Sequence, residues 1–265
     1  MTAPDTGLPV AIEVDATVGI IELARPEKFN CLSTSVFDAV EAALDRFEQP
    51  AADIRSILIC ARGAHFCTGA DLGEVLPLRD DPPGLQRFIS AAHRMMNRLE
   101  ATPLPVVAAC QGLTLAGGIE LMLACDVVFA ARDARFGDQH AQYGLLPGFG
   151  GSQRLPRAIG LRRALDLFYT ARWIDADTAA HWGLVNYTVD AARLRGEALA
   201  YCHALAERSR DGLATMKRMA LAGLEGPLAA ALAMEEATAP SGLLHPDAGE
   251  GLEAFRARRK PRFGA

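Results

Sequence analysis

The run "PVVAACQGLTLAGGIELMLACDVVFAA" (105–131) leaves a chain few ways to fold. "PVVAAC" (105–110) and "DVVFAA" (126–131) read as short apolar strands. Between them a glycine loop leads into "GIELMLAC" (118–125), a helix opening at a glycine pair. Strand, glycine loop, helix and strand in that order point to an α/β organisation with parallel strands. Two further strands, "VGIIEL" (18–23) and "IRSILIC" (54–60), extend the pattern towards the N-terminus. The turn "RPEKFN" (25–30) ends the first of them. A helix is expected after Ser33, because Val36, Val40, Leu44 and Phe47 recur at helical spacing. From about residue 160 the chain is predominantly helical, most clearly over 196–209 and 227–239. The expected organisation is an α/β core over 1–195 followed by a helical region over 196–265.

Composition narrows the function classes. The 265 residues suffice for one large domain with a sizeable core. A net charge of −5 argues against a nucleic-acid binder, which needs a basic face. The six cysteines (31, 60, 67, 110, 125 and 202) form no CxxC and no Cys/His cluster at zinc spacing, so no metal is expected. Their scatter within apolar runs suits a reducing cytoplasm. "MTAPDTGLPV" (1–10) lacks the basic and apolar regions of a secretory leader. No apolar run approaches the roughly 18 to 20 residues of a membrane span.

Chemistry is expected at three glycine-rich turns that follow apolar strands: "GAHFCTGADL" (63–72), "QGLTLAGGIE" (111–120) and "LLPGFGGSQR" (145–154). Glycine permits positive φ and close backbone approach to a ligand. None of the three is a Walker loop, a dinucleotide fingerprint or a GxSxG nucleophile elbow. "GGIE" instead places backbone N–H groups at a helix start, where developing negative charge is favoured, with Glu120 in the first turn.

The set "RPEKFNCLS" (25–33), "AHFCTGADLGEV" (64–75), "AGGIELMLACDVVFA" (116–130), "FGDQHAQYGLLPGFGGSQRLPRAIG" (136–160) and "AFRARRKPRF" (254–263) resembles the crotonase superfamily, the enoyl-CoA hydratase/isomerase family. The motifs run in order over nearly the whole chain. The resemblance implies an α/β spiral of ββα units with a C-terminal helical region that makes trimers, often paired into hexamers. It implies an acyl-CoA thioester as substrate, with coenzyme A arriving on it and no separate cofactor. Two backbone N–H groups, carried over to Ala70 and Gly117, would form an oxyanion hole for the thioester oxygen. Lys28, Ala70, Asp71, Leu72, Phe255 and Arg258 fall where the family contacts coenzyme A.

Hydratases of the family use two glutamates. The first matches Glu120. The second falls on His140, a departure: an imidazole can accept or donate a proton, but it lacks a carboxylate's two acceptor oxygens and its charge. Glu120 should raise the affinity of His140 for a proton. Asp138, two positions earlier, is a candidate auxiliary carboxylate, although that position is not the catalytic one in the family the chain resembles. The alternative is that His140 is a packed or loop-anchoring residue with no catalytic role. His65 and Cys67 are further candidates, the one against the ligand and the other as a nucleophile. The expected activity is that of an enoyl-CoA hydratase. An isomerase, decarboxylase or lyase of the same superfamily, or a binder of acyl-CoA without turnover, stay open because of His140. The acyl pocket would draw on residues such as Leu72, Val75, Leu76, Phe88 and Leu115, and the order of segment 73–90 is open.

Overall fold

The computed structural model describes residues 8–263, so most of the N-terminal stretch read above for a leader (1–7) lies outside the described residues. The four expected strands form the middle of a six-stranded sheet ordered β1-β2-β3-β4-β6-β9. These are β1 (Val10–Asp15), β2 (Val18–Leu23), β3 (Ser56–Ala61), β4 (Val106–Cys110), β6 (Val127–Ala131) and β9 (Tyr187–Val189). β1 and β2 pair antiparallel, and every other neighbouring pair is parallel. β2 and β4 are buried along their whole length, as strands covered on both faces must be.

A second sheet contains three short strands ordered β5-β7-β8: β5 (Leu113–Leu115), β7 (Arg135–Gly137) and β8 (Ile174–Asp175). An isolated bridge from Cys67 to Thr114 sets the 67 segment beside β5. The chain therefore runs from a strand of the large sheet to a short strand of the small one and then to a helix. β4 and β5 lead to α4 (Gly117–Leu123), and β6 and β7 lead towards α5 (Gly151–Ile159). This is the spiral of ββα units that the resemblance implies.

The first long helix, α1 (Thr34–Phe47), buries Val36, Phe37, Val40, Ala43, Leu44 and Phe47 along one stripe. Phe47 lies so close to β2 that a Cβ on Gly19 would meet its ring at 2.5 Å. Phe47→Ala removes a fully buried ring. It is expected to lower the unfolding free energy by about 3–5 kcal/mol, read as a lower denaturant midpoint at unchanged slope.

Segment 73–90 is ordered into α2 (Leu72–Val75), a 3-10 turn at Pro77–Asp80 and the start of α3 (Pro82–Ala101). Pro82 and Pro83, which resemble breakers in the sequence, occupy the first positions of α3, where a missing N–H costs nothing. Asp81 caps this start by accepting from Gly84 N–H at 3.1 Å. Phe88 is buried against Phe37 and Phe149.

α6 (Leu161–Thr170) and α7 (Ala176–Trp182) complete the region before β9. α8 (Leu194–Ala206) lies on the large sheet, where the buried Ser56 hydroxyl donates to the Cys202 carbonyl at 3.1 Å. Glu22, buried on β2, accepts from Arg62 at 2.7 Å and also from Arg195 of α8. A carboxylate at that depth needs such partners. α9 (Arg210–Gly223) and α10 (Leu228–Leu244) have no buried residue, and α11 (Pro246–Arg256) buries only Ala254. Among the described residues no helix is long and apolar enough to cross a membrane.

Candidate active site

Backbone hydrogen bonds fix loop 67–71 between β5 and the segment at Leu32, and the loop packs against the start of α4. Leu115 N–H donates to Cys67 O at 2.9 Å, Leu32 N–H to Gly69 O at 2.7 Å, and Asp71 N–H to Leu32 O at 2.7 Å. Only glycine allows the approach. A Cβ on Gly118 would lie 2.2 Å from the Cys67 carbonyl oxygen, and one on Gly69 (φ +114°) would lie 3.3 Å from Gly117 N. Ala116 takes a strained conformation (φ 48°, ψ −119°) to turn the chain into α4. The N–H groups of Ala70 and Gly117 lie at this seam, and neither finds an acceptor among the described residues. Two neighbouring unpaired donors can receive an oxygen that gains negative charge.

Glu120, in the first turn of α4, is 2% exposed. Its Oε1 accepts from Phe149 N–H and Gly151 N–H, both at 2.7 Å. Gly151 leaves room for this, since a Cβ there would sit 3.0 Å from the same oxygen. Oε2 remains uncommitted and faces His140 Nε2 at 3.9 Å. The glycine turn at 148–151 was legible in the sequence, but nothing there indicated that its amides clamp Glu120. Burial pushes the Glu120 carboxyl above its ordinary range. The amides of Gly151 and Phe149 and the charge of His140 offset only part of this.

His140 opens a 3-10 turn (His140–Tyr143) just beyond β7. Gln139, before it, has φ 61° and ψ −12°, and its side chain is anchored on the Ala171 carbonyl. This kink folds Asp138 back onto His140, whose Nδ1 lies 2.8 Å from Asp138 Oδ2. Burial disfavours a charged His140, but the hydrogen bond and charge of Asp138, with help from Glu120, outweigh it and hold the imidazole above its usual value. Asp138, His140 and Glu120 thus lie next to one another, with the His140 side chain between the two carboxylates and largely buried.

The remaining candidates divide. His65 stacks on Phe29 with ring centroids 5.3 Å apart, and its Nδ1 accepts from Leu113 N–H at 3.2 Å, so it packs a turn. Cys67 is fully buried, and burial pushes its thiol to about 12, which leaves no thiolate to act as nucleophile. Asp71 caps α2 through Gly73 N–H and pairs with Arg25 at 2.7 Å, with Lys28 Nζ a further 3.7 Å contact. Lys28, Ala70, Asp71 and Leu72 therefore gather at one end of the seam, Leu72 being exposed. Phe255 is exposed near the end of α11 with Arg258 just beyond it, and neither shares a hydrogen bond or ion pair with that group among the described residues. No cluster of three metal-binding side chains occurs among the described residues. A separate cavity of about 820 Å³ between α3, α5 and α9 is lined by His93, Glu100, Arg154 and Lys217, and there Arg154 pairs with Glu100 at 2.8 Å.

The family model described as enoyl-CoA hydratase/isomerase matches residues 13–265. A Mycobacterium bovis protein named a probable enoyl-CoA hydratase is 35% identical over 254 residues, covering 96% of this chain and 97% of its own. The mitochondrial methylglutaconyl-CoA hydratase of Mus musculus is 34% identical, over 95% of this chain and 81% of its own. Among solved structures, an enoyl-CoA hydratase from Polaromonas sp. JS666 superposes with a TM-score of 0.92 at 31% identity, covering 96% of this chain and 99% of that one.

Proposed function

This chain belongs to the enoyl-CoA hydratase/isomerase family, and we propose that it adds water reversibly to the double bond of a 2-enoyl-CoA thioester. The observation that carries the proposal is the pairing of two unpaired amides with an acid–base pair at the same helix start. The thioester oxygen would sit between Ala70 N–H and Gly117 N–H, where developing enolate charge meets preorganised dipoles. Glu120, its Oε1 clamped, would present Oε2 to the attacking water as base, and His140 would be the second acid–base group.

Coenzyme A would arrive as part of the substrate, with no metal or redox group needed. Lys28, Leu72 and the backbone of Ala70 and Asp71 would line its path, the Asp71 carboxylate being committed to Arg25. Phe255 and Arg258 would meet it in an assembled protein. The exposed Leu228, Leu232, Leu243 and Leu244 of α10 support assembly as a homotrimer or a dimer of trimers. Six free cysteines, five of them buried, suit the cytoplasm as its location.

The test is the loss of enoyl-thioester absorbance when the purified protein meets crotonyl-CoA. Rapid loss with formation of the 3-hydroxyacyl thioester supports hydration. Tight binding of the thioester by calorimetry, with neither loss nor double-bond migration, would replace the reading with that of a silent binder. Migration or decarboxylation without water uptake would place the protein elsewhere in the superfamily.

A further inference from the structure

Asp138 is the buried titratable group near the site that the reading above does not use. It is 3% exposed, and its carboxylate finds one side-chain partner among the described residues, His140. A carboxylate so placed is costly unless a donor or positive charge faces it. The chain accepts that cost together with a non-glycine residue at positive φ, Gln139, between the two partners. Both features serve one end: they set His140 Nδ1 against Asp138 Oδ2 and leave Nε2 pointing at Glu120 Oε2.

We propose that Asp138 is a positioning residue that fixes His140 as the proton donor of the reaction, with the proton held on Nε2 at the Glu120 side of the site and Glu120 left as the base. The proposal rests on the hydratase reading. The Asp138 carboxylate accepts from Nδ1–H, so the second proton of the imidazolium lies on Nε2. In the forward step Glu120 Oε2 takes a proton from water, whose oxygen bonds to the β-carbon. The double-bond electron pair moves to the α-carbon and takes the Nε2 proton. Glu120 ends protonated and His140 neutral, and transfer of that proton to Nε2, across 3.9 Å or through solvent, restores both. The single proton consumed is the single proton gained. An imidazolium thereby does the work of a protonated second carboxylic acid, and an acid–base pair is told apart by its surroundings.

The titratable groups facing His140 are Asp138, on its own segment, and Glu120, on α4. Removing the Asp138 charge leaves burial, which disfavours the imidazolium, opposed by Glu120 alone. Activity that needs the imidazolium must then fade at lower pH. In Asp138→Asn the high-pH limb of kcat for crotonyl-CoA is expected to move down by about one pH unit or more. kcat at neutral pH should fall about 10-fold or more, and KM should change less than about twofold. The His140 imidazole resonances, identified by their loss in His140→Gln, should titrate at correspondingly lower pH. Asp138→Glu, which restores the charge, should recover part of the limb, and Asp138→Ser serves if the Asn variant does not fold.

A folded Asp138→Asn or Asp138→Ser protein whose kcat profile and His140 titration both match the wild type overturns the proposal. A wild type that hydrates no 2-enoyl-CoA overturns the hydratase reading instead. The His140 titration needs no turnover, so it still reports whether Asp138 governs the imidazole.

Discussion

Glu120→Gln is expected to lower kcat for hydration of crotonyl-CoA by a factor between about 10² and 10⁴ while the protein stays folded. The fold survives because the substituted side chain keeps a carbonyl oxygen able to accept from Phe149 N–H and Gly151 N–H, the two bonds that hold Oε1. What is lost lies at Oε2, which would become an NH₂ group facing His140 Nε2. An amide nitrogen cannot take a proton from water. KM should change little, because the groups proposed to hold the thioester oxygen are backbone amides untouched by the change. The pH dependence makes the assignment sharper. Burial raises the Glu120 carboxyl, so a base at this position is switched off as pH falls through a range above that of ordinary carboxylates. The acid limb of the wild-type kcat profile should lie there and should vanish from the residual activity of Glu120→Gln. Undiminished turnover in the folded variant would mean that the base is another group.

The residues that place this chemistry were legible in the sequence to different degrees. Glu120 and His140 could be named because each sits in a motif with a characteristic neighbourhood, "GGIE" and "FGDQH". Their meeting at 3.9 Å required the spiral, since twenty residues and two strands separate them. The bond from Asp138 to His140 depends on a left-handed Gln139, and glutamine carries no sequence signal for that conformation as glycine or asparagine would. The clamp from Phe149 and Gly151 was hidden for another reason. Glycine clusters report where a backbone can come close, but not to what. The large sheet was largely legible because its parallel strands are continuous apolar runs. β5, β7, β8 and β9, of two or three residues each, are too short to show a period. Helix α3 was obscured at its start by Pro82 and Pro83, whose role at a helix N-terminus depends on Asp81 acting as cap.

Gly118→Ala should damage both stability and catalysis, and the comparison with a second glycine isolates the cause. Alanine is the better helix former by about 1 kcal/mol, so in an open stretch of helix the change stabilises. At Gly118 the added Cβ would stand 2.2 Å from the Cys67 carbonyl oxygen and 2.8 Å from its carbon. That oxygen cannot simply withdraw, because it accepts from Leu115 N–H at 2.9 Å in the bridge joining the 67 segment to β5. Either α4 shifts outwards or the bridge breaks, and overpacking of this kind costs about 1–3 kcal/mol or more. For a chain of this size each kcal/mol lowers Tm by about 2–4 °C. Both routes also separate loop 67–71 from the start of α4, and so move Ala70 N–H away from Gly117 N–H. kcat/KM should therefore fall by about 10²-fold or more even at temperatures where the variant is fully folded, as expected when a preorganised donor is displaced. Gly196→Ala is the control: Gly196 lies in α8 with no atom within 4 Å of the added Cβ. It should raise stability by about 0.4–1 kcal/mol and leave kcat unchanged. If Gly118→Ala behaved like Gly196→Ala, the close contact between α4 and the 67–71 loop would not be what assembles the two donors, and the oxyanion site would have to be sought elsewhere.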